Sequence, residues 1–120
     1  MDRKTLGNFG ENKSAEYLKH HGYKIIDRNY RCRYGEIDII ARKDRYIIFV
    51  EVKLRKNSNF AQAREFVDYY KQKRLISTAL LWLSANNCDL QPRFDIIEIY
   101  APYGIMSEKI ELNLIEDAFE

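Results

Sequence analysis

The sequence predicts an α/β domain, a mixed central β-sheet flanked by α-helices in the order α-β-β-β-α-β-β. Three runs rich in Ile, Val and Phe, "EIDIIA", "YIIFVEVKL" and "RFDIIEIY", have the composition and bounding turn residues of strands. Two stretches with helical spacing of apolar residues stand before and between them. At 120 residues the chain is read as one domain, 1–120, long enough to bury a single core.

The first helix is expected from Gly10 to His21, where Ala15, Leu18 and Tyr17 mark one face and Gly22 is a suitable stop. "YKIIDRNYR" follows as a strand whose exit becomes irregular from Asp27 and Asn29. "EIDIIA" and "YIIFVEVKL" are separated by the short polar turn "RKDR", so they should form an antiparallel hairpin. "KNSNFAQAREF" is polar and irregular, a candidate flexible loop. From about Asp68 to Asn87 the pattern is helical again, with Asp68 as N-cap and Tyr69, Leu75, Ile76, Ala79, Leu80 and Leu83 as apolar face. "RFDIIEIY" is the next strand, "PYG" a turn, "IMSEKIELN" a weaker extended segment, and the tail "LIEDAFE" a short closing helix.

Twenty basic and 18 acidic residues nearly cancel, so any partner preference must come from where the charges sit. Cys32 and Cys88 show no zinc-binding spacing, and nothing in their separation suggests a disulfide. The start "MDRKTLGNFGENKS" lacks the apolar core of a signal peptide, and "LISTALLWL" falls far short of the ~20 residues that cross a bilayer. A cytoplasmic protein with no membrane partner is expected.

The hairpin carries ionisable residues inside its apolar runs. Strict alternation puts Glu36, Asp38 and Ile40 on one face of the first strand, against Ile37 and Ile39. In the second strand Ile47, Phe49, Glu51 and Lys53 share a face, against Ile48, Val50 and Val52. With the turn centred on Asp44 and Arg45, Asp38 stands opposite Glu51, and opposed Cβ atoms lie roughly 4.5–5.5 Å apart. Two carboxylates that close repel, so one pKa should rise or a cation should intervene. Lys53 is one such cation and a divalent metal is another. Mg²⁺ takes oxygen ligands and often uses only one or two carboxylates, with water and phosphate completing its shell. The plainer reading is a solvated Glu–Lys face, but the flanking residues are too apolar for an ordinary surface.

These residues carry a resemblance. "GENKSAEYLKHHGYKIIDRNYR", "GEIDIIA", "FVEVKLR", "KQKRLISTALLWL", "RFDIIEI" and "EDAF" resemble the YraN family of small bacterial proteins over nearly the whole chain. That family is similar in turn to restriction-endonuclease-like nucleases with the PD-(D/E)xK signature, especially archaeal Holliday-junction resolvases. The resemblance implies a restriction-endonuclease-like fold and a Mg²⁺- or Mn²⁺-dependent endonuclease acting on DNA, branched or damaged DNA included. It implies Asp38 and Glu51 as metal ligands and Lys53 as the catalytic lysine. Glu11, eleven residues before Gly22, falls where resolvases place a further metal-binding glutamate; read alone, it is an ordinary acid favourable to a helix N-terminus. Two departures stand out: Ile37 occupies the proline position, and Ala61 replaces the family's usual loop glycine. By analogy with resolvases a homodimer is expected.

Glu36 shares the face of Asp38 and reads either as support for the site or as a strand-edge acid held by Arg31 or Arg33. Arg31, Arg33 and Arg55 surround the hairpin in sequence, and Lys71, Lys73 and Arg74 lie near the start of the second helix. As a group these suit phosphate, with Lys71 first because the resemblance places a recurrent lysine there, and Tyr30 and Tyr34 could stack on unpaired bases. Taken singly, each basic residue reads as well as a solubilising charge. No element resembles a sequence reader, so recognition by backbone and shape is expected. The alternative function is a nucleic-acid-binding module of the same fold that does not cleave, or cleaves only with a partner.

Overall fold

The computed structural model describes residues 3–55 and 68–119. Their elements are α1 (Arg3–His20), β1 (Lys24–Cys32), β2 (Gly35–Lys43), β3 (Tyr46–Arg55), α2 (Tyr69–Ala85), β4 (Gln91–Tyr100) and β5 (Glu111–Phe119), with a 3-10 turn at Gly104–Met106. The strands form one five-stranded mixed sheet in the order β1-β2-β3-β4-β5. All neighbours are antiparallel except β3 and β4, which are parallel because α2 carries the chain back between them. This is the expected α/β architecture, and it is compatible with a nuclease-like fold. No described helix is long and apolar enough to cross a membrane.

The helices cover opposite faces of the sheet. Ala15 and Leu18 of α1 pack with Ile39, Ala41, Ile48, Val50, Ile97 and Ile99. Leu75, Ala79 and Trp82 of α2 pack with Ile37, Ile40, Ile47, Phe49 and Ile96. Burying a β-branched or aromatic side chain of this size removes roughly 1.5–3 kcal/mol of unfavourable hydration. The fully buried Ile, Val and Phe of the three central strands therefore hold the sheet between its two helical layers.

Both helices end by the same device. Gly22 and Asn87 have φ of 85° and 48°, in the left-handed region. Tyr23 N–H donates to Leu18 O at 2.9 Å, and Cys88 N–H donates to Leu83 O at 3.0 Å. Each is the six-residue closing bond that satisfies helix-end carbonyls. Asp68 caps α2 as expected, its carboxylate accepting Lys71 N–H at 2.8 Å.

Four expectations need correction. Helix α1 begins at Arg3 rather than Gly10, because Gly7 and Gly10 weaken the local propensity without breaking the helix. A Cβ at Gly10 would lie 3.5 Å from Val52 Cγ1, so this glycine sits where α1 rests closely on β3. The tail is a strand, not a helix. Ile115 and Phe119, four residues apart, both lie on the α2 side of the sheet, a spacing that a helix face and alternate strand positions share; the strand is irregular around the left-handed Asp117 (φ 51°). On α2, Leu80 and Tyr69 are exposed, and Trp82 takes the buried place expected of them. Finally, Ile37 joins Ile40 on the α2 side while Ile39 faces α1, so strict alternation fails across Asp38. The expected loop from Lys56 to Phe66, with Ala61, lies outside the described residues.

Nothing lies within 4 Å of a Cβ built on Gly7. Gly7→Ala is therefore expected to stabilise the protein by about 0.5–1 kcal/mol through backbone entropy alone, read as a higher urea midpoint with unchanged slope.

Candidate functional site

The hairpin turn centres on Asp44 and Arg45, as the polar spacing indicates, and pairing runs from Lys43–Tyr46 to Ile39–Val50. Continued by one step it would bring Asp38 opposite Glu51. The ladder stops there instead. Val52 N–H, which faces β2 beyond the last pair, donates to Asp38 Oδ2 at 2.8 Å. On the other side of Asp38, strand β1 is distorted as well. Asn29 lies across from Asp38, between the pairs Arg28–Ile39 and Tyr30–Ile37, with φ 53°. A non-glycine residue in that region costs of order 1 kcal/mol and is concentrated at functional sites. Asp38 thus stands where three strands part, held by one backbone amide.

Glu51 is gripped from two directions. Its Oε1 lies 3.1 Å from Lys71 Nζ and 3.5 Å from Lys53 Nζ. Lys71 reaches it because Asp68 starts α2 one turn away, and the helix N-terminus adds its own favourable field for the carboxylate. All three side chains are largely buried, the Glu51 side chain only 12% exposed.

Burial and repulsion set the protonation of this cluster. Desolvation, then the Glu51 charge, push the Asp38 carboxyl up to about 7, with Glu11 and Glu36 adding to the rise and the Val52 N–H opposing it. Lys53 is pushed down, first by burial and then by the neighbouring Lys71 ammonium. Burial also works against the Lys71 charge, but its contacts with Lys53 and Glu51 outweigh this and hold it above the ordinary lysine range. Lys53 is thereby less basic than an ordinary lysine and Lys71 more so.

Glu11 is 9% exposed, on α1, with Oε1 lacking any hydrogen-bond partner. Desolvation raises its pKa, partly offset by Arg28. Among the described residues no three His, Cys, Asp or Glu side chains form a metal-binding group, so Glu11 does not close with Asp38 and Glu51 into one cluster. Glu36 pairs with Arg31 at 3.4 Å on the surface, the strand-edge alternative set out for it above. Arg33 lies against the Tyr34 ring, its guanidinium carbon 4.9 Å from the centroid, and Nη2 donates to the Tyr34 hydroxyl at 2.8 Å. Lys73 lies over Tyr69 at 5.1 Å, and Arg74 is exposed. Tyr30 packs against the α2-side core, and Tyr34 remains at the surface.

Arg55 turns inward toward Glu98, Nε to Oε2 3.7 Å, and Glu98 is 1% exposed. Glu98 pairs with Lys53 in the β3–β4 register and also lies 3.5 Å from Asn113 Nδ2. Sequence reasoning missed Glu98, although an acid inside the apolar run "FDIIEIY" is the same signal that singled out Asp38 and Glu51.

Comparison with known proteins agrees with the sequence resemblance. The model of the uncharacterised protein family UPF0102 matches residues 10–99. A UPF0102 protein of Caldanaerobacter subterraneus subsp. tengcongensis is 43% identical over 121 residues, covering 99% of this chain and 98% of its own. One from Clostridioides difficile is 46% identical over 120 residues, covering 99% and 100%. One from Caldicellulosiruptor saccharolyticus is 41% identical over 122 residues, with 99% and 100% covered. The chain belongs to the UPF0102 family, the YraN family that its motifs resemble.

Proposed function

We infer that the protein is a metal-dependent nuclease that hydrolyses phosphodiester bonds in DNA, branched or damaged DNA being the preferred class. The observation that carries this reading is the meeting of Asp38, Glu51, Lys53 and Lys71 where β2 leaves β3. Asp38 and Glu51 suit a hard divalent cation, which commonly takes one or two carboxylates and fills its shell with water and phosphate oxygens. They would hold Mg²⁺ or Mn²⁺ as a pair, Glu11 lying apart from them on α1. When bound, such an ion supplies an acidified water and neutralises charge on the phosphate.

The chain's own residues supply the rest. Lys53, less basic than an ordinary lysine, can accept a proton from the attacking water. Lys71 stays cationic, offsets Glu51 and presents positive charge where the phosphate gains negative charge. Val52 N–H fixes the orientation of the Asp38 carboxylate.

A second reading is a nucleic-acid-binding module of the same fold that is non-catalytic or cleaves only within a partner complex. It is favoured by the separation of Glu11 from the other two acids. A panel of single-stranded, duplex, flapped and four-way-junction DNA, with RNA alongside, separates the two readings in Mg²⁺ or Mn²⁺. Cleavage that needs metal and falls about 100-fold or more in both Asp38→Ala and Lys53→Ala supports the nuclease. Salt-sensitive binding without cleavage supports the module. Equal cleavage by all three proteins counts against both.

A further inference from the structure

A groove of about 580 Å³ opens between the first half of α1 and the distorted part of β1. It is lined by Lys4, Gly7, Asn8, Glu11, Asn29, Arg31 and Glu36. None of these is aromatic, so the groove offers no ring on which a base could stack. It offers two cations and two amides, the donor types that contact phosphate and sugar. Gly7 leaves the α1 wall open, with no atom within 4 Å of where its Cβ would be.

Two further observations orient the groove. The deep carboxylate is Glu11, and Asn29, on the groove wall, lies across from Asp38 in the β1–β2 ladder, so the groove borders the acidic site. The sheet is also polarised across its width. Edge strand β1 carries Lys24, Arg28 and Arg31 against one acid, Asp27, while the opposite edge β5 carries Glu111, Glu116 and Asp117 with no basic residue. A polyanion is drawn toward the β1 edge and away from β5.

We propose that this groove is the track for one strand of nucleic acid, held by its sugar–phosphate backbone through Lys4, Asn8, Asn29 and Arg31 and led toward Asp38. The proposal rests on the nuclease or binding reading above and names the path that either would use. Arg31 at present pairs with Glu36, both partners substantially exposed, a pair of a kind worth at most about 1 kcal/mol. An incoming phosphate can therefore take Arg31 from Glu36 at little cost. Asn29 combines a left-handed backbone with a side chain on the groove wall, where its amide hydrogen-bonds the Glu11 side chain and stands at the level of Asp38.

The test is fluorescence anisotropy of a labelled single-stranded oligonucleotide across a salt series, in EDTA so that binding alone is read. Lys4→Ala and Arg31→Ala should each flatten the plot of log affinity against log salt by about 0.7, the contribution of one phosphate on a single strand. Asn29→Gly keeps the left-handed backbone and should weaken binding about threefold without altering the slope. Lys109→Ala, an exposed charge that precedes the opposite edge strand β5 and does not line the groove, should change nothing. If the wild type binds with a salt-dependent slope and Lys4→Ala and Arg31→Ala keep that slope, the groove is not the track, although nucleic-acid binding stands. If the wild type shows no salt-dependent binding, both the track and the functional reading beneath it fall.

Discussion

Asp38→Asn is expected to stabilise the protein at pH 8 while abolishing the metal-dependent cleavage proposed for it. Asparagine keeps an oxygen that can accept Val52 N–H, so the backbone contact where β2 leaves β3 survives. What it removes is a charge held in a largely buried place beside Glu51. The sign follows from proton linkage. The folded carboxyl titrates at about 7 against an ordinary value of 3.8, so between those pH values the folded state binds a proton that the unfolded state does not. Wild-type stability therefore rises as pH falls from about 7 toward 4, and the cost of the charge is fully present above pH 7. That displacement caps the gain at roughly 4 kcal/mol. Sharing of the effect with Glu51 and residual solvent bring the expectation to about 1–3 kcal/mol, or some 5 °C or more in Tm. Thermal unfolding in EDTA at pH 5 and pH 8 checks it: the variant should gain clearly at pH 8 and much less at pH 5. An equal gain at both values would mean that the Asp38 charge is not the cause. Cleavage should fall about 100-fold or more, because a neutral amide is a poor ligand for a hard cation. A site that trades stability for charge in this way is what a functional carboxylate looks like.

How much of this was legible in the sequence differs residue by residue. The hairpin was, because the polar turn and period-two apolar runs fix register locally. The burial of Asp38 and Glu51 near one another was, because each is an acid inside an apolar strand, a signal that Asp95 and Glu98 share. The break in alternation at Ile37 was not, since it arises where β3 leaves β2 and Asn29 distorts β1, two events that no local pattern of β2 records. Lys71 was expected to meet phosphate, and its contact with Glu51 was not legible. That contact spans twenty residues and depends on where Asp68 starts α2. The tail deceived because residues four apart, Ile115 and Phe119, share one face in a strand as they do in a helix. The start of α1 was obscured by two glycines whose weak propensity is overcome by packing against β3.

Asp95 bears the same sequence signal as Asp38, an acid in an apolar strand, and is expected to behave in the opposite way. It is 1% exposed, yet every interaction around it is made. Arg93 binds it twice, Nε to Oδ1 at 2.9 Å and Nη2 to Oδ2 at 2.8 Å, and Asp117 N–H donates to Oδ1 at 3.0 Å. Nη2 of Arg93 also donates to the Tyr23 hydroxyl at 3.1 Å, and the guanidinium carbon stands 5.1 Å from the centroid of the Tyr46 ring. This clamp fastens the irregular end of β5, with its left-handed Asp117, to β4 and to the exit of α1. Asp95→Ala would leave a mostly buried guanidinium with only the exposed Glu116 carboxylate, 4.0 Å away, and the Asp117 amide without its acceptor. A loss of about 3–5 kcal/mol is expected, read in urea unfolding. Replacing both partners, Arg93→Met with Asp95→Leu, should recover much of that loss, because the penalty lies in the stranded charge rather than in the absence of the pair. Recovery would identify the Arg93–Asp95 pair as a fastening that apolar packing can replace. The Asp38 charge cannot be replaced in that way, because removing it is expected to leave a more stable protein that no longer cleaves. Two acids with one appearance in the sequence are separated by their partners: Asp95 meets a guanidinium and an amide, whereas Asp38 meets one amide and another acid.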